Sequence, residues 1–315
     1  MAVKTKFTKN DFIKILSNYN LGEFKDFKPI TAGAVQTNFL LQTTKDKFVF
    51  RYYENRSEGS VLFESNLIKY LKNKKYPCPA SFKNKHGKFV GTYNKKPYII
   101  FEFVEGQHIK APNEDQKKQL IKKVAELQDI TKHYKPRYKK YRWNYSIQLC
   151  RELAEKEAKK INTANSRKKL KWLKGELLKL ELPKSLPKGI CHCDFHFSNV
   201  FFKNNKFNAL IDFDDANYTF LMFDLVGLIE SSAWHYKKDK TFNFKEAKKV
   251  LSEYIKHRPL GNNEKKHLFD LYKLSILFDC IWFFERGDVK NFYEKRKIDY
   301  LNSLGREEFY RRIFF

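Results

Sequence analysis

Between Phe27 and Glu54 the chain reads FKPITAGAVQTNFLLQTTKDKFVFRYYE. Apolar and polar residues alternate there between turn signals, the period-two pattern of half-buried strands. Folded as a helix, the same run would scatter its apolar side chains around the whole cylinder. It predicts three short antiparallel strands, with turns at Gly33 and at Lys45-Asp46. The flanks extend this lobe. Thr8 caps a helix through about Tyr19, with Phe12, Ile15, Leu16 and Tyr19 on one face. GSVLFESNLIKYLKNKKY is an amphipathic helix, and KFVGTY and PYIIFEFVEG add two strands.

From Ala111 onward helical periodicity dominates. NEDQKKQLIKKVAELQDIT is a helix with Asn113 as N-cap, and others run from about Tyr145 to Lys160 and from Ser166 to Leu180. NVFFKNNKFNALIDF interrupts them as a two-stranded ribbon turning at Asn204-Asn205, and helices resume from Phe220. The expected fold class is α+β. Residues 1–105 form a small antiparallel-sheet lobe with one inserted helix, and residues 106–315 a larger, mainly helical lobe. A hinge near Glu102 to Gly106 joins them, with a nucleotide-sized cleft between the lobes.

The formal charge of +27 raises the question of a nucleic-acid partner. The lysines are spread along the chain, so a solvated surface is the simpler reading. The densest segment, TKHYKPRYKKYRW, reads as an exposed linker between helices. No apolar run reaches about 18 residues, so no membrane span is expected. The polar start lacks a signal-peptide pattern, and the odd count of five cysteines shows no framework of spacings. A cytoplasmic protein with reduced thiols is expected.

One stretch, GICHCDFHFSNVFF, crowds Cys191, His192, Cys193, Asp194 and His196 together. A structural zinc site asks for two ligand pairs at wider spacing, and no second pair follows. In extended backbone Cys191 and Cys193 point one way, toward the core, while His192 and Asp194 point the other. Read instead as H-x-D-x-x-x-x-N followed by a ribbon and then LIDFDD, the segment suits phosphoryl transfer from ATP. Asp194 is the expected catalytic base, and Asn199 and Asp212 the oxygen ligands of Mg²⁺. His192 buttresses the loop, and His196 either reaches phosphate or faces solvent.

With these residues in place the chain resembles the aminoglycoside phosphotransferase and choline kinase superfamily, which has a protein-kinase-like bilobal fold. HCDFHFSNV and LIDFDDA carry the likeness. Within it, MAVKTKFT, YNLGEF, ITAGAVQTNFLLQTT, YYENR and YPCPAS resemble the bacterial type II homoserine kinases in order and spacing. The resemblance implies that Gly33 to Asn38 cover the ATP phosphates, that Arg51 is the phosphate-binding basic residue of the third strand, and that Glu64 is its helix partner. It implies a hinge at Glu102 to Val104 that reads adenine, and an Asp224 that braces the catalytic loop. It also implies a small hydroxyl-bearing acceptor, with homoserine the leading candidate.

The late helix YKLSILFDCIWFFERGD departs from that family, with Phe278 and Phe283 or Phe284 where arginines are expected for a substrate carboxylate. Asp279 lies on the same helix. Asp214, Asp279, Trp234 and Trp282 are therefore candidates for contacts to an amine-bearing acceptor, which leaves choline-like and amino-sugar alcohols open. A non-catalytic nucleic-acid-binding or scaffold protein on the same fold is the alternative of another class. The presence of Asp194, Asn199 and Asp212 argues against it.

Overall fold

The period-two segment lies within a five-stranded antiparallel sheet in the computed structural model, which describes residues 4–31, 33, 35–234 and 242–315. The strands are β1 (Phe24–Ile30), β2 (Thr37–Thr43), β3 (Lys47–Tyr52), β4 (Gly91–Tyr93) and β5 (Lys96–Glu102), in the order β1-β2-β3-β5-β4. Alternation along β3 buries Phe48, Phe50 and Tyr52 in a core shared with Phe7, Phe12 and Phe39. Phe7 stands edge-on to Phe39, Phe50 and Tyr52, with ring centroids 5.6, 5.2 and 5.1 Å away. Arg51 takes the other face of the strand, paired across it with Asn38 on β2 and Ile99 on β5.

Helix α1 (Lys9–Leu16) starts at a Thr8–Asp11 capping box and ends short of the expected Tyr19. Ser17 and Asn18 turn their side chains onto the Lys14 carbonyl and compete with helix continuation. Strand β4 is also shorter than KFVGTY. Asn84 accepts from the amides of His86 and Lys88 and holds that run in a turn. Helix α2 (Glu58–Asn73), capped by Ser57, packs against β5 and carries Glu64 on its buried side.

Packing divides the chain into two compact units. One comprises the described residues of Met1–Gln116, His133–Arg142 and Phe197–Ala216, and the other those of Lys117–Lys132, Trp143–His196 and Asn217–Phe315. The ribbon β7 (Val200–Lys203) and β8 (Lys206–Leu210) thus joins the strand-rich unit, across the 105/106 boundary drawn from sequence. Backbone hydrogen bonds explain this. Gln107 and Phe202 bond reciprocally at 2.9 and 3.0 Å, and the Leu210 amide donates to Pro77 at 2.9 Å. Asn204 and Asn205 both take positive φ, 51° and 61°, as a two-residue hairpin turn of type I′ requires.

The second unit is mainly helical. It contains α4 (Ile147–Ile161), α5 (Ala164–Leu177), α6 (Met222–Ala233), α7 (Phe244–His257), α8 (Asn262–Trp282), α9 (Lys295–Leu304) and α10 (Arg306–Phe314). Helix α3 (Glu114–Ile130) lies mostly within it. A strand pair absent from the sequence reading, β6 (Lys188–Cys191) with β9 (Asn217–Phe220), runs antiparallel and leads into the candidate catalytic loop. Among the described residues no helix is long and apolar enough to cross a membrane, and none of the five cysteines is in a disulfide.

Phe12 is fully buried and packs on Phe7, Phe27, Phe39 and Phe50. Phe12→Ala is expected to cost about 3–5 kcal/mol of stability in urea melts. A loss below about 1 kcal/mol would show that the aromatic cluster does not hold this unit together.

Candidate active site

In the strand-rich unit the ends of the ribbon bring two oxygen donors to adjacent backbone. Asn199 precedes β7 and Asp212 follows β8, and the Ile211 amide donates to the Asn199 carbonyl at 2.8 Å. Asp212 sits in the left-handed region at φ 65°, a conformation that costs a non-glycine residue energy and marks a constrained site. Its carboxylate accepts from Arg51 Nη1 at 2.7 Å. Arg51 Nε donates to Asn38 Oδ1 at 3.1 Å, and Arg51 Nη1 lies 3.8 Å from Glu64 Oε1. Glu64 is 1% exposed and accepts from the Tyr53 hydroxyl at 3.0 Å. Burial pushes its carboxyl up to about 7, against the pull of Arg51.

Behind Asp212 lies a second charge cluster that motif reading passed over. Arg56 Nε and Nη2 reach the two oxygens of Asp214 at 2.9 and 3.2 Å, and Nη2 also reaches Asp215 at 2.7 Å. Gln36 Nε2 donates to Asp214 at 2.8 Å, while its carbonyl oxygen accepts from the Glu54 amide. Arg142 donates to the carbonyls of Phe213 and Asp214 and stacks its guanidinium 4.9 Å over the Phe63 ring. The basic segment read as an exposed linker therefore ends in a largely buried anchor. Asp214, proposed from sequence as a substrate contact, has its carboxylate engaged by Arg56 and Gln36. Gly33 takes φ 103°, and its carbonyl accepts from Lys4 at 2.7 Å. Ala34, in the same expected phosphate loop, lies outside the described residues. The Glu102 amide donates to the Ala80 carbonyl at 2.8 Å, and Val104 is half-buried beyond β5.

In the helical unit Asp224, in the first turn of α6, accepts from the amides of His192 and Cys193 at 2.9 and 2.8 Å. His192 is fully buried, its ring 5.3 Å from that of Phe195. Cys191 is buried and donates to the Phe220 carbonyl at 3.2 Å. Cys193 departs from the expected alternation. It turns to φ 63°, ends the extended run, and lies half-buried rather than in the core. That turn carries Asp194 and His196 to exposed positions on a cleft of about 130 Å³, which Phe223, Ser231 and Ser275 also line.

The remaining acceptor candidates occupy different settings. Trp234 is buried, donates to the Tyr272 hydroxyl, and already has Lys297 5.7 Å over its ring. Tyr272 donates to Glu230 at 2.6 Å, and Lys297 pairs with Glu230 and Glu294. Trp282 is half-exposed and stacks on Trp143 at 4.8 Å. Asp279 is half-buried on α8, one helical turn beyond Ser275 and on the same face. Burial and the nearby Glu230 push its carboxyl up to about 7, with Lys297 opposing.

The fold is that of kinases acting on small molecules. The amicoumacin kinase hAmiN, in complex with AMP-PNP, Ca²⁺ and Ami, matches with a TM-score of 0.66 at 16% identity, over 98% of this chain and 93% of that one. The microcompartment-associated aminopropanol kinase matches at 0.64 with 14% identity, over 92% and 93%. The phosphotransferase enzyme family model matches residues 26–249. The chain belongs to that family, as a small-molecule phosphotransferase that acts on a hydroxyl. The homoserine kinase of Bartonella tribocorum is 29% identical over 312 residues, covering 96% of this chain and 90% of that one. That of Rhodopseudomonas palustris is 30% identical over 305 residues, covering 96% and 88%.

Asp279 binds its proton more tightly in the folded chain than in the unfolded one, whose carboxyl titrates near 3.8. Its contribution to stability is therefore complete below that pH and is lost as pH rises through about 7. Asp279→Asn should raise the Tm relative to wild type at pH 8 and converge with it near pH 4. A constant offset across that range would remove the titration from the explanation.

Proposed function

We propose that the protein is an ATP- and Mg²⁺-dependent kinase that transfers the γ-phosphate directly to the hydroxyl of a small metabolite, with L-homoserine the leading acceptor. The observation that carries this reading is Asp194, exposed on its cleft at the end of a loop whose amides are held by Asp224. The relatives named homoserine kinase, similar along 96% of the chain, support the choice of acceptor.

Asp194 accepts the hydroxyl proton as the acceptor oxygen bonds to the γ-phosphorus and the bond to the β-γ bridging oxygen breaks, releasing ADP. Little covalent work falls to the protein, so positioning and charge neutralisation dominate. The chemistry of Asn199 and Asp212 fits a hard divalent cation, since one offers a neutral amide oxygen and the other an anionic carboxylate on neighbouring backbone. When bound there with ATP, Mg²⁺ would neutralise phosphate charge. Arg51, beside Asp212, supplies a guanidinium suited to phosphate oxygens, and Glu64 keeps it oriented. Asp279, next along α8 from the cleft residue Ser275, favours a second reading in which the acceptor is an amino alcohol without a carboxylate.

Asp194→Ala is expected to lower kcat by about a thousandfold or more while the thermal shift given by MgATP persists. Turnover within about tenfold of wild type would overturn the base assignment. ATP consumption measured with homoserine, ethanolamine, choline and an aminoglycoside decides the acceptor. Homoserine should be turned over fastest, and its failure alone would remove it while leaving the kinase chemistry intact.

A further inference from the structure

We infer that Gly227 reserves the space in the cleft beside Asp194 and restricts the acceptor to a compact alcohol, an inference that rests on the kinase reading above. Gly227 lies in the interior of α6, where glycine is a poorer helix former than alanine. Nothing in the backbone asks for it, since its φ is not positive. Nor does packing, because a Cβ built on Gly227 meets no atom within 4 Å. Gly189 shows the contrast, as a Cβ there would run to 2.6 Å from Leu221.

The open space beside Gly227 belongs to the cleft that Asp194 lines. Phe223, Gly227 and Ser231, spaced by four, form one face of α6 along it, and Ser275 comes from α8. A cavity of about 150 Å³ holds a benzene-sized molecule. The cleft measures about 130 Å³. It therefore suits a compact aliphatic alcohol, whose polar groups meet the two serine hydroxyls. A multi-ring amino sugar would have to extend out of it. Any side chain at position 227 would enter the volume left for the acceptor.

Gly175 provides the control. It too lies in a helix interior with open space beside it, on α5, and is not among the cleft residues. Gly227→Ala and Gly175→Ala should both leave the Tm at or above wild type. Gly227→Ala alone should raise the acceptor KM by about tenfold or more, with the ATP KM held within about twofold. Equal acceptor KM values in the two variants would overturn the inference. So would wild-type turnover of an aminoglycoside as fast as that of homoserine or ethanolamine. A wild-type chain that shows no thermal shift with MgATP and releases no ADP with any acceptor would instead bring down the kinase reading, and this inference with it.

Discussion

A carboxylate withdrawn from water must be matched by charge and hydrogen bonds inside the protein, or it will not stay ionised there. Asp214, 5% exposed, is matched by the fork of Arg56 and by the amide of Gln36. These partners come from the turn after β1 and the bend after β3, so one carboxylate ties both to the end of the ribbon. Arg142 closes the same turn through its backbone carbonyls. With Asp214 fixed, the chain two residues earlier has little choice, and Asp212 is held in a left-handed conformation against Arg51. The residues proposed to hold metal and phosphate are thus aligned by groups that need not touch either.

The helical unit uses the same physics on a backbone. Asp224 lies at the N-terminal end of α6, where a negative charge is favoured by the helix dipole. There it takes the amides of His192 and Cys193 and sets the path of the loop through its backbone. Cys193 then turns through positive φ, and Asp194 emerges exposed on the cleft. The carboxylate proposed as the base is thus presented at the surface by backbone that a buried carboxylate holds.

Much of this was legible in the residues themselves. The alternation from Phe27 to Glu54 announced the sheet, and the Asn204-Asn205 pair announced the ribbon turn, because both signals are local. The spacing of Asp194, Asn199 and Asp212 pointed to phosphoryl transfer for the same reason. What escaped was non-local. Arg56 and Gln36 lie in stretches whose local pattern says nothing of their pairing, and their partner Asp214 lies far along the chain. Arg142 looked like one more surface cation within a basic run, although it covers Phe63. The pair β6 and β9 was missed because each strand is four residues long and gains its identity from the other. Cys193 left the expected alternation because an αL turn of a non-glycine residue has no clear mark in sequence.

The three-segment make-up of the strand-rich unit bears on how the chain is made. Arg56 and Asp214 are separated by 158 positions. At about 5–20 residues per second, roughly 8–30 s pass between the emergence of one and of the other. Through that interval the sheet and its aromatic cluster can assemble, since their residues all precede position 105. Arg51 and Arg56 meanwhile wait without the aspartates that later meet them. The sheet can therefore form early in synthesis, while its charged face is completed only after the ribbon has followed. A chain interrupted before the ribbon would carry every residue of the aromatic core without the aspartates that complete its charged face.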